Sequence, residues 1–372
     1  MPDGNAGRPY WSFSASFKCL SPDQRSKGII GRPALSQSAR AKEGAATVKK
    51  EKVLLLTRDE IESVVTMDDA IKAVAEGFKA FNSGRAVIPF PVALQIEEHK
   101  GDIHIKPGYM KGTDTYCVKI ASGFEGHPSH GMQLLFDSRT GVPRAFLMDR
   151  GFLTDLRTAA AGAVAANALA KKSVSKVAVI GAGTQGRLQM EALSRVRDFE
   201  VLSVWNRTPD GTERYVSEMK KRLSAKVLAA RTVEEAVRGS DIVVTATAST
   251  SPLVKADWIG EGTHITALGS DSPEKRELES AVLGKADKII VDSLPQVLRL
   301  GEVHHAVEDG TIKGSDVHAE LGEVLLGTKR GRESDSEITI CDLTGIAIQD
   351  VVISRLVLER ALKKKIGSYV DA

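Results

Sequence analysis

The chain has 372 residues, is 42% hydrophobic and carries a formal net charge of +3. That length supports a sizeable core and two domains, and so small a charge excess argues against a nucleic-acid surface. Its three cysteines, Cys19, Cys117 and Cys341, are too dispersed for a disulfide framework or a metal cluster, which points to a reducing compartment, and no apolar run reaches membrane-spanning length.

Residues 1–50 are rich in lysine, arginine and serine, hold only Asp3, Asp23 and Glu43 as acids, and lack helical or strand periodicity. Such a leader reads either as an organellar transit peptide or as an unstructured tail or start-site artefact, so the compartment is cytoplasmic or, if the leader targets, organellar. Ordered structure is expected from Val53, with Val53–Leu56 a short strand. Thr66 can cap a helix whose first turn carries Asp68 and Asp69, whose buried stripe is Ile71, Val74, Ala75, Phe78 and Phe81, and which ends at Asn82 and Gly84. From Pro91 to Met148 the pattern shortens to alternating runs: Val92–Ile96, Ile103–Tyr109, Tyr116–Ala121, Met132–Phe136 and Ala145–Met148, with a hairpin turn at Asp137–Gly141. This predicts a mostly antiparallel sheet. Thr154–Gly162 then opens an alanine-rich helix running to about Lys171. It reads either as a plain linker or as an anion site, because Arg157 and Thr158 stand near its start.

Val177–Ile180 is a run of four apolar residues, as in a buried parallel strand, and Gly181-Ala182-Gly183-Thr184-Gln185-Gly186 after it fits G-x-G-x-x-G ahead of a helix to about Arg195. Gly181 permits the tight turn, Gly183 lets backbone approach a pyrophosphate, and Gly186 lets the helix pack on the strand, with the diphosphate on the helix N-terminus. The second strand, Val201–Trp205, ends in Asn206-Arg207-Thr208. No carboxylate stands there to hold a ribose diol, and Arg207 can pair with a 2′-phosphate, which favours NADP(H) over NAD(H). The alternation continues through a helix over 211–223, strand Lys226–Ala229, a short helix from Thr232 and strand Asp241–Thr247, whose end, Thr247, should face the nicotinamide side. Thr263–Leu268 delivers Gly269–Lys275 to the carboxyl edge of the sheet, and Lys288–Asp292 closes the series. Glu337–Asp342 reads as a strand, and Thr344-Gly345 turns into a terminal helix over 346–365, beyond the nucleotide domain and packed back on the first one.

A nicotinamide enzyme needs a cation for its substrate's carboxylate, a proton donor or acceptor, and a dry pocket. Lys119, Arg157 and Asp271 are the candidates. Taken singly each also reads as a surface charge, and Lys119, alternating with Val118 and Ile120, could point to solvent. No metal is expected, since His304-His305 lacks a third ligand. No G-x-S-x-G elbow or P-loop occurs.

In combination, Val118-Lys119-Ile120, then Leu153-Thr154-Asp155-Leu156-Arg157-Thr158-Ala159-Ala160, then Val179–Gly186, then Leu268-Gly269-Ser270-Asp271 resemble the ornithine cyclodeaminase/mu-crystallin family, from about Val53 to the C-terminus. The resemblance implies an α/β fold in which a Rossmann nucleotide-binding domain is inserted into a mixed α+β substrate/dimerisation domain. Residues 51–172 would form the first part of the substrate domain, 173–319 the Rossmann domain and 320–372 the return, with 1–50 an extension. It implies a homodimeric NAD(P)-dependent enzyme acting at the C–N bond of a small amino or imino acid, as a cyclodeaminase or ketimine reductase. An alanine-dehydrogenase-like enzyme and a non-catalytic NADPH-binding protein are the alternatives. By resemblance, Asp271 is the general acid/base. Lys119 and Arg157 hold the carboxylate, with Lys119 also assisting proton transfer. Arg157 and Thr158 touch the cofactor diphosphate, Lys275 lies near the nicotinamide, and Asn206-Arg207-Thr208 resembles an NADPH-binding tip. Ser129-His130 and Thr344-Gly345 match pocket-lining segments. One departure stands out: an arginine usual after the first helix has Pro91 in its place. A charged hydrogen bond contributes about 1.5–3 kcal/mol, so its absence weakens an amino-acid substrate roughly tenfold and puts ornithine in doubt.

Overall fold

The computed structural model describes residues 51–371, so the leader and Cys19 lie outside the described residues. Two sheets and five helices position the site. The first sheet contains β1 (Lys52–Thr57), β2 (Ala86–Val87), β3 (Val92–Ile96), β4 (Gly101–Met110), β5 (Thr115–Phe124), β6 (His130–Asp137) and β7 (Pro143–Met148). Its order is last strand (Ser368–Asp371), β1, β7, β6, β5, β4, β2, with β3 also on β4. Every pairing is antiparallel except β1 with β7, as the alternating runs predict. The helices are α1 (Met67–Asn82), α2 (Phe152–Leu169), α3 (Thr184–Leu193), α4 (Glu302–Glu308) and α5 (Ala347–Lys364).

Thr66 caps α1 by accepting from the Asp69 N–H, while Asp69 accepts from the Thr66 N–H at 3.1 Å. The buried stripe is Ala70, Val74, Gly77, Phe78 and Ala80; Ile71, Ala75 and Phe81 are only partly buried. The stripe is rotated because α5 crosses at Gly77, where an added Cβ would lie 3.2 Å from Val352. Leu54, Leu56, Cys117, Leu135 and Leu147 of the first sheet share one core with Phe78 of α1, Leu156 of α2 and Val351 and Val352 of α5. The opposite face of that sheet leaves Val92 57% and Leu94 53% exposed, with Met132 and Met148 also open.

The second sheet comprises β8 (Lys176–Ile180), β9 (Val201–Trp205), β10 (Lys226–Ala229), β11 (Ile242–Thr245), β12 (His264–Ala267), β13 (Lys288–Val291), β14 (Val317–Glu320) and β15 (Thr339–Asp342). All are parallel, in the order β10, β9, β8, β11, β12, β15, β13, β14. β11, β12, β13 and β15 are buried at every position, which explains their apolar and β-branched runs. The order reverses between β8 and β11, and such a switch point opens a ligand crevice at the carboxyl ends. Two sequence expectations change. β13 does not close the series, because β14 pairs beyond it, and β15 is not outside the nucleotide sheet but lies within it, between β12 and β13. Sequence spacing cannot reveal an insertion made by so distant a strand. Among the described residues, no helix is long and apolar enough to cross a membrane.

Candidate active site

Gly181 adopts φ +112°, and a Cβ there would lie 2.5 Å from the Ala246 carbonyl oxygen, so the loops after β8 and β11 meet at the switch point. A side chain at Gly186 would collide with the Gly181 carbonyl, whose closeness lets α3 lie on β8. A Cβ at Gly183 would meet nothing within 4 Å, and Gly183 caps α3 without a side-chain hydrogen bond. The first N–H groups of α3, at Thr184 and Gln185, therefore border open space, an arrangement that fits a diphosphate. Asn206 ties this loop to the tip of β9: its Oδ1 accepts from the Ala182 N–H at 3.3 Å, and its Nδ2 donates to Thr208 Oγ1 at 3.0 Å. Arg207 and Thr208 are exposed at that tip.

The Leu-Arg-Thr-Ala-Ala segment is no plain linker. Asp149 accepts from the Leu153 N–H at 2.8 Å and starts α2, which is then bolted across α3. Gln185 Nε2 donates to Asp155 Oδ1 at 2.9 Å, and Gln189 Nε2 to the Thr158 carbonyl at 3.0 Å. Arg157 is thereby carried inward, where its Nε donates to Asp350 Oδ1 at 3.1 Å and its Nη1 to Gln349 Oε1 at 2.7 Å.

Lys119 does not point to solvent. It is 2% exposed, and its Nζ lies 3.0 Å from Asp350 Oδ2. β5 turns Cys117 and Lys119 inward because α5 covers that face. Burial pushes the Lys119 ammonium down to about 7, helped by Arg157 and opposed by Asp350. Burial also works to raise Asp350, yet the charges of Lys119, Arg157 and Lys106 prevail and hold its carboxyl below the ordinary range. Lys119 and Arg157 thus share a buried carboxylate of their own chain.

Lys106 is a cation that sequence reasoning missed. It lies opposite Lys119 in the β4–β5 register, and its Nζ donates to the Gly345 carbonyl at 2.8 Å. Burial lowers its pKa and Arg157 adds to the effect, while Asp350, Asp271 and Asp292 oppose it. Lys106, Arg157, Thr158, Gln185, Asp271 and Gln349 line one cleft of about 180 Å³. Gln349 is fully buried and its Nε2 has no hydrogen-bond partner. Thr344 and Gly345 complete the wall, held by Asp292, whose carboxylate accepts from both backbone N–H groups at 2.9 and 2.6 Å.

Lys106, Asp271 and Thr344 also border a wider cleft of about 660 Å³ with Pro91, Phe90 and Lys275. Pro91 therefore sits at the rim, as its sequence place suggests, and Arg299 reaches that rim from the second sheet's side, 4.2 Å from the Phe90 ring centre. Lys275 Nζ pairs with Asp271 at 2.6 Å. Thr247 is at the crevice, but its hydroxyl is committed to Glu277 at 2.7 Å. His130 is elsewhere: it lines a separate cavity on the outer face of the first sheet with Ile120, Met132 and Met148. The expectation that His304-His305 lacks a third ligand also changes, since Glu308, one turn along α4, completes a group whose ligand atoms lie within 4.8 Å of one another. There the His305 Nε2 donates to the Lys275 carbonyl at 2.8 Å when that nitrogen is protonated.

Comparison with known proteins bears on this arrangement. The model of the ornithine cyclodeaminase/mu-crystallin family matches residues 51–365. An alanine dehydrogenase of Archaeoglobus fulgidus is 44% identical over 325 residues, spanning 85% of this chain and 98% of that protein. The solved structure of a Thermococcus litoralis Δ1-pyrroline-2-carboxylate reductase with NADH and L-proline superposes with a TM-score of 0.82 at 35% identity, covering 86% of this chain and all (100%) of the other. An archaeal alanine dehydrogenase dimer with bound NAD gives 0.81 at 41%, covering 86% and 99%.

Proposed function

The chain belongs to the ornithine cyclodeaminase/mu-crystallin family, and from that premise we propose that it is an NAD(P)-dependent oxidoreductase acting at the Cα–N bond of a small amino or imino acid. The observation that carries this reading is the single cleft in which Lys106, Arg157 and Asp271 converge beside the start of the glycine-loop helix. Such a cleft offers cations for a carboxylate, a carboxyl group for a proton and a cradle for a dinucleotide.

A nicotinamide bound there would exchange hydride with the substrate carbon. This chain's residues do the rest. Lys106, Arg157 and the free Nε2 of Gln349 hold the substrate carboxylate by charged and neutral donors. Lys119 acts at one remove, through Asp350. Asp271 gives a proton to the nitrogen in the reductive direction and receives one in the oxidative direction, with Lys275 paired to it at the cleft's edge. Thr158, Gly183, Thr184 and Gln185 border the diphosphate. The two solved relatives hold NADH and NAD, so the preference for NADP(H) rests on Asn206-Arg207-Thr208 alone. Relatives of this chain are named both as cyclodeaminases and as reductases or dehydrogenases, so the reading of reduction of a cyclic imino acid or amination of a 2-oxo acid over ring closure of ornithine rests on Pro91 at the rim. We further propose a homodimer formed through the apolar outer face of the first sheet.

The test is a turnover screen with proline, alanine, ornithine, lysine and cyclic imino acids, using both cofactors, on the wild-type chain and Asp271→Asn. The variant should lose at least about a hundredfold in kcat while binding the dinucleotide as the wild type does. Undiminished turnover would remove Asp271 from the mechanism. Dinucleotide binding without turnover of any substrate would support a non-catalytic binding protein instead.

A further inference from the structure

Glu277 is entirely buried, and no cation is among the groups that most perturb its carboxyl. Burial without a counterion raises its carboxyl above the ordinary range, and hydrogen bonds work against that shift. Oε1 accepts from the Thr247 N–H at 2.6 Å and from Thr247 Oγ1 at 2.7 Å, and Oε2 accepts from the Gly269 N–H at 2.9 Å. Thr247 follows β11 and Gly269 follows β12, adjacent parallel strands whose loops form one wall of the crevice. A single carboxylate therefore joins the loop that meets Gly181 to the loop that carries Asp271 and Lys275. The fit is close: a Cβ on Gly269 would lie 2.5 Å from Glu277 Oε2.

Glu277 is itself fixed from behind. Glu302 Oε1 accepts from the Glu277 N–H at 2.8 Å and Oε2 from the Leu278 N–H at 3.0 Å. Asp342, at the end of β15, accepts from the Val303 N–H at 2.9 Å and so holds the start of α4, the helix that bears Glu302. The brace runs from the middle of the parallel sheet to the crevice wall, and it contains no group that reaches the inner cleft.

We propose that Glu277 is the positioning residue of this site: it sets the separation of the 246–249 and 269–275 loops and so aims Asp271 at the reacting carbon and nitrogen. This rests on the functional reading above for its consequence in turnover, but not for the brace itself. In Glu277→Gln the amide keeps one acceptor oxygen and turns an NH2 group toward an N–H donor, so one loop is released.

Two measurements test the proposal separately from the function. Amide hydrogen exchange on the ligand-free protein should show one of the two amides, Thr247 or Gly269, exchanging at least about tenfold faster in Glu277→Gln, the effect of losing that hydrogen bond. Steady-state kinetics should show kcat reduced roughly ten- to a hundredfold by misplacement of the acid, with the substrate KM, set by Lys106 and Arg157, changed less than about threefold. A residue that only stabilised the fold would lower the active fraction and leave the exchange of the folded protein as in the wild type. Should Glu277→Gln fail to fold, Thr247→Val removes the hydroxyl that donates to Glu277 Oε1, loosens the same brace from its other end and should give the same split. Unchanged exchange at both amides overturns the brace. Faster exchange with wild-type kcat overturns its role in aiming Asp271. If the wild-type chain turns over no amino or imino acid, the functional reading fails while the exchange result still decides the brace.

Discussion

Asp350→Asn is the sharpest perturbation of the buried charge network. Asp350 is 1% exposed and stands between Lys119 Nζ at 3.0 Å and Arg157 Nε at 3.1 Å, themselves 2% and 6% exposed. The substitution preserves shape but leaves two cations buried without their carboxylate. Removing one partner of a buried ion pair costs about 3–5 kcal/mol, a large part of the roughly 5–15 kcal/mol that holds a folded protein together. Arg157 cannot shed its proton, whereas Lys119, already at about 7, can. The loss should therefore be larger at pH 6 than at pH 9, where Lys119 is neutral. Urea denaturation followed by circular dichroism measures it, and the double variant Asp350→Asn/Lys119→Met supplies the control. If uncompensated charge is the cause, the double variant is less destabilised at pH 6 than the sum of the single ones. A loss below about 1 kcal/mol, typical of surface pairs, or strict additivity in the cycle, would refute the argument.

Lys106→Met should raise the substrate KM on the order of tenfold or more, the share of one charged hydrogen bond, with dinucleotide affinity unchanged; an unaltered KM in steady-state assays would exclude Lys106 as a carboxylate ligand. Arg207→Ala should weaken NADPH binding and leave NADH binding as it is, read by fluorescence titration, and equal affinity of the wild type for both would defeat the 2′-phosphate reading. Met132→Glu, which places a charge on the apolar outer face of the first sheet, should shift sedimentation from dimer to monomer; a wild-type chain that sediments as a monomer would remove the dimer proposal. Burial pushes Glu302 up to about 8 from its ordinary 4.5, so the folded chain keeps a proton that the unfolded chain has lost between those values. Its contribution is then full below pH 4.5 and declines as pH rises toward 8, by up to about 1.4 kcal/mol per pH unit. Lys119, lowered to about 7, acts in the opposite sense, adding stability as pH rises from 7 toward 10.5. Glu302→Gln should flatten the decline between pH 5 and 7 in denaturant titrations, and an unchanged slope would show that Glu302 does not carry it.

What was legible in the sequence was local. The alternation from Val92 to Met148 has a period of two, and the glycine loop sits between an apolar strand and a helix. Each strand, turn or loop in them is read from a short contiguous stretch, and both elements form as read. Arg157 and Asp271, singled out in the sequence, both line the cleft, whereas Lys119, singled out with them, pairs with Asp350 instead. The non-local features stayed hidden. Lys106 had a faint signal: Ile103-His104-Ile105-Lys106 alternates, and Gly108 shares the phase of Lys106, small enough to sit beneath α5, where a Cβ would lie 2.8 Å from Val351. Asp350 had another, as a lone acid beside the apolar Val351-Val352-Ile353 in a helix, which calls for a buried cation. Neither could be paired with the other without knowing that α5 covers β4 and β5. The brace through Glu277 was invisible for the same reason, since its carboxylate accepts from two separate loops and its own N–H donates to a glutamate on a third element.

The position of β15 sets the order in which the molecule can be completed during synthesis. β12 and β13 leave the ribosome well before residue 339, yet neither touches the other in the finished sheet, because β15 fills the space between them. Until that late segment emerges, both strands present open edges, the kind of edge that invites pairing with the wrong chain. A nascent chain of this protein thus waits for almost its whole length before the nucleotide half can close, and a truncation ahead of Thr339 removes the keystone of that half as well as the terminal helix.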